Sequence, residues 1–326
     1  MLSDAAGLPH RIRAKHALAR VLLKSGLPQQ RARHPDRAPS CRILCYHRIA
    51  APPTRYFSLA HRLCVNPVSF RWQVSYLTQH FRLLSEKQLL ECLETRFGPR
   101  DAYLTFDDGF DDAATNAAPV LADYDVPAVV FVCGDRRDRI AWWYDLAILI
   151  DEELEGKPLG EQLRWYRREF RRLARLPREQ RERELVARCN KEWRQPRPPG
   201  PRLLAANDAV RLASQNIAVG AHGYSHEDLG RLDFAAVEQE IRSSIESVEA
   251  LTGLRPRGFA YPFGKAMNLP LDADRVLRRS GLEYAVTTRW GLNRGHPDRY
   301  ALERIVIDGT DDQAAFVCKV WGFLRT

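Results

Sequence analysis

Short, almost continuously apolar runs recur along this chain, separated by longer stretches whose apolar residues repeat at helical spacing. That alternation is the strongest constraint on its fold. The runs "RILCYH" (42–47), "AYLTF" (102–106), "PAVVFVC" (127–133), "IAVGAH" (217–222), "RGFAYPF" (257–263), "EYAVTT" (283–288) and "ERIVID" (303–308) read as strands, with "FRLLS" (81–85) a weaker candidate. Helical periodicity covers 67–80, 85–95, 112–124, 205–215, 234–252, 271–280 and 311–324. Strands that are apolar throughout are buried on both faces, which a parallel sheet covered by helices provides. So many strand–helix units point to a closed α/β barrel rather than an open sheet.

Two segments break this rhythm. Residues 136–204 contain "EQLRWYRREFRRLARLPREQRERELVARCNKEW" and end in the proline-rich "RQPRPPGPR"; they read as an inserted helical hairpin or lid with a stiff connector. Residues 1–39 read as a basic N-terminal arm and linker, with 25–40 flexible, which leaves 40–326 as the barrel domain. The net charge of +9 sits mostly in these appendages: eight Lys/Arg face two acids over 1–40, and fourteen face six over 161–202. The remaining body is mildly acidic, so nucleic acid is not the expected partner of its central face. The basic segments leave open peripheral contact with an anionic membrane surface. A solvated helix or frayed arm is the plainer reading of the N-terminus.

Seven cysteines, an odd number without a C-x-x-C pair, suit free thiols in a reducing compartment. The run "ALARVLL" is broken by Arg20, so neither a signal peptide nor a membrane span is expected. The expected location is cytoplasmic, with membrane association left open.

The strand candidates end in residues that bind metals or move protons. "RILCYH" ends in His47, "AYLTF" runs into Asp107 and Asp108, and "IAVGAH" ends in His222, with His226 four residues on. In parallel barrels the strand C-termini share one face, where active sites are built. Two adjacent carboxylates repel each other unless something cationic stands before them. His222, His226 and one carboxylate make a His-His-Asp set with open positions, the ligand shape of a catalytic metal.

"LTFDDGF", "GAHGYSHEDL" and "FAYPFG" resemble the first three motifs of the polysaccharide deacetylase family, the NodB-homology carbohydrate esterases of family four. "ILCYHRI" followed by "FRWQVSYLTQHFRLLS" further resembles the branch that deacetylates bacterial exopolysaccharides. The resemblance implies a distorted (β/α)7-type barrel and a divalent metal, usually Zn2+, held by Asp108, His222 and His226. It implies Asp107 as catalytic base and an oxyanion donor in the "YPFG" turn, at Tyr261 or, more specifically, the Phe263 amide. It implies His47 as general acid, with His296 the runner-up. Two positions depart from the family pattern. Ala260 stands where an arginine usually orients the base, which nominates Arg304 for that task against the plainer reading of a surface salt bridge. Gly223 replaces a Ser/Thr in the second motif. Trp142 and Trp143 could stack on sugar faces as a subsite, or simply anchor the insertion.

The expected function is removal of N-acetyl groups from amino sugars of a polysaccharide or glycan precursor. The competing readings are a hydrolase acting on a non-carbohydrate amide or imide, a catalytically silent glycan- or membrane-binding module, and a nucleic-acid binder using 161–202.

Overall fold

The computed structural model describes residues 10–33, 39–51, 62–135, 142–192 and 202–325. Its centre is a ring of parallel strands: β1 (Ser40–Tyr46), β2 (Asp101–Phe106), β3 (Ala128–Val132), β4 (Ile217–Ala221), β5 (Gly258–Ala260), β6 (Tyr284–Val286) and β7 (Arg304–Val306). Neighbours in the chain pair in order from β1 to β6, and β7 returns to lie beside β1. A bridge from Val286 to Leu302, just before β7, carries the circuit from β6 to β7. The seam between β4 and β5 is the thin one, a single pair of Ala221 and Phe259. The chain therefore has the expected barrel, distorted and nearly closed. Each main strand candidate of the sequence lies on one of its staves, and the weaker "FRLLS" supplies a short strand, Arg82–Leu83, beside β2.

Both strand faces are buried, as the unbroken apolar runs require. Cys41 and Ile43 of β1, Tyr103 of β2, Val129 and Phe131 of β3, Ala260 of β5, and Tyr284 and Val286 of β6 fill the barrel interior. The alternate residues, such as Leu44, Tyr46, Leu104 and Phe106, pack against the surrounding helices. Large rings fit inside because glycines face them. A Cβ on Gly220 would lie 2.4 Å from the Phe131 ring, and one on Gly258 2.3 Å from the Tyr284 ring.

Among the described residues the main α-helices are α1 (His10–Lys24), α2 (Leu27–Arg33), α3 (Pro67–His80), α4 (Glu86–Glu94), α5 (Ala118–Asp123), α6 (Trp142–Glu153), α7 (Leu159–Leu173), α8 (Arg178–Glu192), α9 (Ala206–Ser214), α10 (Phe234–Thr252), α11 (Ala273–Arg279) and α12 (Gln313–Val320). The insertion is a three-helix layer, α6 to α8, rather than a hairpin. Its own core holds Trp142, Trp143, Leu146, Ile150, Tyr166 and Leu185. Its arginines are organised by acids: Arg188 bridges Glu153 (2.6 Å) and Glu169 (3.0 Å), and Arg172 meets Glu184 at 2.7 Å. The proline-rich connector expected at 194–202 lies almost wholly outside the described residues, as does 34–38 of the expected linker.

From His10 onward the N-terminal segment is not a frayed arm. Helix α1 packs along α12, burying Ala19 completely; Lys15 pairs with Asp311 at 2.7 Å, and the His16 ring bonds the Thr310 carbonyl at 2.8 Å. Part of the presumed flexible linker is helix α2. The sequence suggested otherwise because α1 is apolar only along a narrow stripe, whose partner lies at the far end of the chain. Among the described residues, no helix is long and apolar enough to cross a membrane.

Candidate functional site

The Asp pair is placed by the strand that precedes it. The Asp107 amide donates to the Tyr46 carbonyl at 2.9 Å, extending the β1–β2 ladder one step and turning the side chain inward. The backbone then turns left-handed at Asp108 (φ 72°) and Gly109 (φ 70°). A side chain at Gly109 would strike Val132 at 2.9 Å, so only glycine lets the turn press against β3. His222 prolongs β4 by donating to the Val132 carbonyl at 3.0 Å. His226 (φ 53°) and Phe263 (φ 59°) also adopt the left-handed conformation. Outside this site, the described non-glycine residues with positive φ are Asp125 and Asn216, types that tolerate it. Strain thus gathers where three strand-end loops converge.

Asp108 Oδ1 lies 3.3 Å from His222 Nε2 and 3.4 Å from His226 Nε2, with all three side chains buried. His222 Nδ1 sits 2.8 Å from the Ala260 carbonyl oxygen. A carbonyl can only accept, so Nδ1 carries the proton and Nε2 turns a lone pair towards Asp108. A lone pair facing a carboxylate oxygen is repulsive unless a cation or a second proton lies between them. Asp108 Oδ2 is buried with no partner among the described residues. Ligand atoms of Asp108, His222 and His226 all fall within 4.8 Å of one another. This donor set fits a divalent cation. Burial alone would raise the Asp108 carboxyl, but the His222 and His226 imidazoles beside it more than offset this and hold it well below the usual range. Burial lowers His226, whereas for His222 the nearby Asp107 and Asp108 outweigh burial and raise it.

Asp107 has a different partner. Burial would raise its carboxyl too, but the Arg304 guanidinium more than offsets this and holds it at about 2. Arg304 Nη1 donates to Asp107 Oδ1 (2.8 Å) and to Thr105 Oγ1 (3.0 Å), Nη2 to Asp107 Oδ2 (2.6 Å), and Nε to the Thr287 carbonyl (2.6 Å). Arg304 is therefore no surface salt bridge; it is fully buried. Ala260 is fully buried in β5, and its carbonyl serves His222. His47, half-buried at the end of β1, lies with Cys45 and Asp107 in a second cluster whose polar atoms fall within 4.8 Å; its Nδ1 has no partner among the described residues. His296 is exposed, two residues beyond a short strand (Asn293–Arg294) paired with the N-terminal end of β1, so it sits at the wrong end of the barrel.

The other sequence candidates divide. The Phe263 ring packs edge-on to His226 (4.7 Å), its carbonyl accepts from Thr288 Oγ1 (2.6 Å), and among the described residues nothing accepts its amide hydrogen. Tyr261 is corrected: its amide donates to Val286 and its hydroxyl to the Tyr300 carbonyl, so both donors are already engaged in the fold. Trp142 is corrected as a stacking surface. One face lies on Phe170 (5.0 Å), Arg181 sits 4.8 Å from the ring centre, and the residue is buried. Trp143 stacks on His226 at 4.0 Å and forms a roof over that ligand candidate rather than an open sugar platform. Arg181–Glu227 and Arg178–Asp135 ion pairs tie the insertion to the loops after β4 and β3.

Sequence reasoning missed Cys45, whose thiol lies 3.4 Å from Asp107 Oδ2, and Thr105, which steadies Arg304. The two-residue period ending in His47 and Asp107 would have flagged both. It also missed Glu240 on α10, which accepts from the amides of Tyr224 (3.0 Å) and Ser225 (2.9 Å) and so fixes the loop carrying His226. Nothing local marks Glu240.

A family model described as polysaccharide deacetylase matches residues 94–285. Among solved structures, a Streptococcus pyogenes deacetylase, PplD, in complex with acetate aligns at 17% identity over 87% of this chain and 99% of its own, with a TM-score of 0.57. IcaB from Ammonifex degensii aligns at 19% identity over 88% of this chain and 98% of its own, with a TM-score of 0.53. A polysaccharide deacetylase from Bacillus cereus aligns at 18% identity over 87% and 69%, with a TM-score of 0.55. At these identities the likeness establishes the fold. No curated protein sequence matches the chain.

Proposed function

The chain belongs to the polysaccharide deacetylase family, and on that footing we propose that it is a metal-dependent hydrolase removing N-acetyl groups from amino sugars of a glycan or glycan precursor. The observation that carries the reading is the division of labour between adjacent carboxylates. Asp108 shares its oxygen with two histidines, while Asp107, clamped by Arg304, faces the same interior. Asp108, His222 and His226 would hold the cation, and two nitrogens with one oxygen suit zinc. Once bound, such a cation lowers the pKa of a water towards neutrality and polarises the acyl carbonyl.

The remaining roles fall to the chain's own groups. Asp107 is ionised at any working pH, because Arg304 keeps its carboxyl at about 2, and accepts the proton of the attacking water. Arg304 fixes which way that carboxylate points. The Phe263 amide donates to the acyl oxygen as it gains charge. His47 gives a proton to the departing amine. Asp107, Asp108, His222 and His226 are all buried, with Trp143 stacked on His226, while His47 is half-exposed. That depth favours a chain end or a small acylated sugar over the middle of a polymer.

The test is acetate release from N-acetylglucosamine and its short oligomers by the purified protein, with and without chelator. Release that stops on chelation and returns with zinc supports the reading. Bound metal without acetate release from any acetylated sugar sinks it and moves weight to a non-carbohydrate amide.

A further inference from the structure

A second set of ligand-type side chains stands beside the first. Cys45 and His47 are two residues apart at the end of β1, so their side chains leave the backbone on one face. Asp107 directly follows Phe106, the register partner of Tyr46, and brings its carboxylate to the same place from β2. Ligand atoms of Cys45, His47 and Asp107 fall within 4.8 Å of one another. Cys45 and Asp107 are buried and His47 is half-buried; the His47 Nδ1 is shut off from solvent with no partner among the described residues.

The spacing matches that of zinc ligands. Bonds of about 2.3 Å to sulfur and about 2.0 Å to oxygen, opened at a tetrahedral angle, hold the two ligand atoms about 3.5 Å apart. Cys45 Sγ and Asp107 Oδ2 are 3.4 Å apart. Arg304 takes one lone pair from each Asp107 oxygen, and a carboxylate oxygen has a second to give. A thiolate beside an imidazole selects zinc over magnesium or calcium. The guanidinium bonded to Asp107 repels any cation placed there, whereas no guanidinium is bonded to Asp108 among the described residues. This pocket is therefore the weaker of the two and fills second.

We propose that Cys45, His47 and Asp107 form a second, lower-affinity zinc site whose occupancy silences the hydrolase. Binding exchanges the Cys45 S–H bond for an S–Zn bond and releases the proton to solvent. The cation then occupies the groups that accept and donate protons, Asp107 and His47. The silencing rests on the deacetylase reading; the metal site does not, and it is measured separately.

The experiment strips the full chain of metal and titrates it with Co2+, following metal bound per chain and the near-ultraviolet thiolate-to-cobalt charge-transfer band. At one equivalent the Asp108, His222 and His226 centre fills, and its nitrogen and oxygen ligands give no such band. A second equivalent should bring the band in. Cys45→Ala and Cys45→Ser should each keep the first equivalent and lose the band, whereas Cys92→Ser, which removes a half-buried thiol outside the cluster, should keep it. Acetate release from N-acetylglucosamine oligomers is then measured against free Zn2+. Wild type should rise with the first equivalent and fall about tenfold at ten times the second Kd, since only the unfilled fraction turns over. Within each Cys45 variant, the ratio of release at high to low zinc should stay near one.

A single equivalent at saturation, or a band that survives both Cys45 substitutions, overturns the site. Undiminished acetate release with the band fully developed overturns the silencing. A Cys45-dependent band with no acetate release at any zinc level would uphold the second site and defeat the deacetylase reading instead.

Discussion

Arg304 and Asp107 are joined by two parallel hydrogen bonds, Nη1 to Oδ1 at 2.8 Å and Nη2 to Oδ2 at 2.6 Å, with both side chains shut off from solvent. Breaking one side of such a pair leaves a bare buried charge, which costs about 3–5 kcal/mol. Arg304→Met should therefore lower Tm sharply, and acetate release should fall about 100-fold as Asp107 loses its bearing. Arg304→Lys should recover part of the stability but not the rate, since one ammonium cannot hold both oxygens. Thermal melts and initial rates decide it; a lysine variant with full activity would remove the orienting role.

On the proposed reading, Asp107→Asn keeps the candidate metal ligands and removes the proton acceptor. Zinc content per chain should match wild type while acetate release disappears. His226→Ala should do the reverse and lose the metal itself. Added zinc then raises the Tm of wild type, by the equivalent of about 2.7 kcal/mol at a hundredfold excess over Kd, and leaves the variant unmoved.

Glu240 acts at one remove, through the amides of Tyr224 and Ser225 that precede His226. Partners that orient a ligand are typically worth about 10–100-fold in metal affinity. Glu240→Ala should weaken zinc binding by that factor while the melt of the metal-free protein moves far less than for Arg304→Met. Competition with a zinc indicator measures it.

Gly220 is the register partner of Phe131 on the neighbouring stave, with 2.4 Å left between that ring and any added Cβ. Gly220→Ala is expected to cost about 1–3 kcal/mol by overpacking. Phe131→Leu in the same chain should recover part of this, because the two changes share one space. Denaturant titration of the single and double variants tests the coupling; strict additivity would mean that the two residues do not compete.

Asp308 supplies the pH dependence. Burial would raise its carboxyl, but Arg62, Lys319 and Lys15 hold it below the ordinary range. Asp311, paired with both lysines, is the other acid of this cluster. An acid depressed on folding stabilises the fold fully above its unfolded value of about 3.9 and loses that contribution as pH falls through the lower folded value. Wild type should thus be more stable than Asp308→Asn at neutral pH, and the gap should narrow as melts are taken below pH ~4. A gap that stays constant down to acid pH would exclude the linkage.

The sequence by itself determined the staves and the identities gathered at their ends. Apolar runs buried on both faces leave little choice but a parallel barrel, and the strand-end rule then brings Asp107, Asp108, His222 and His226 to one rim. Those signals are local, a period of two and a residue at its end. What only the tertiary structure decided were relations between distant segments: Arg304 reaching Asp107 from the last stave, Glu240 fixing the His226 loop, Trp143 roofing it, and α1 docking on α12. Each depends on where the closed ring brings two helices or loops together, and no periodicity along the chain encodes that distance.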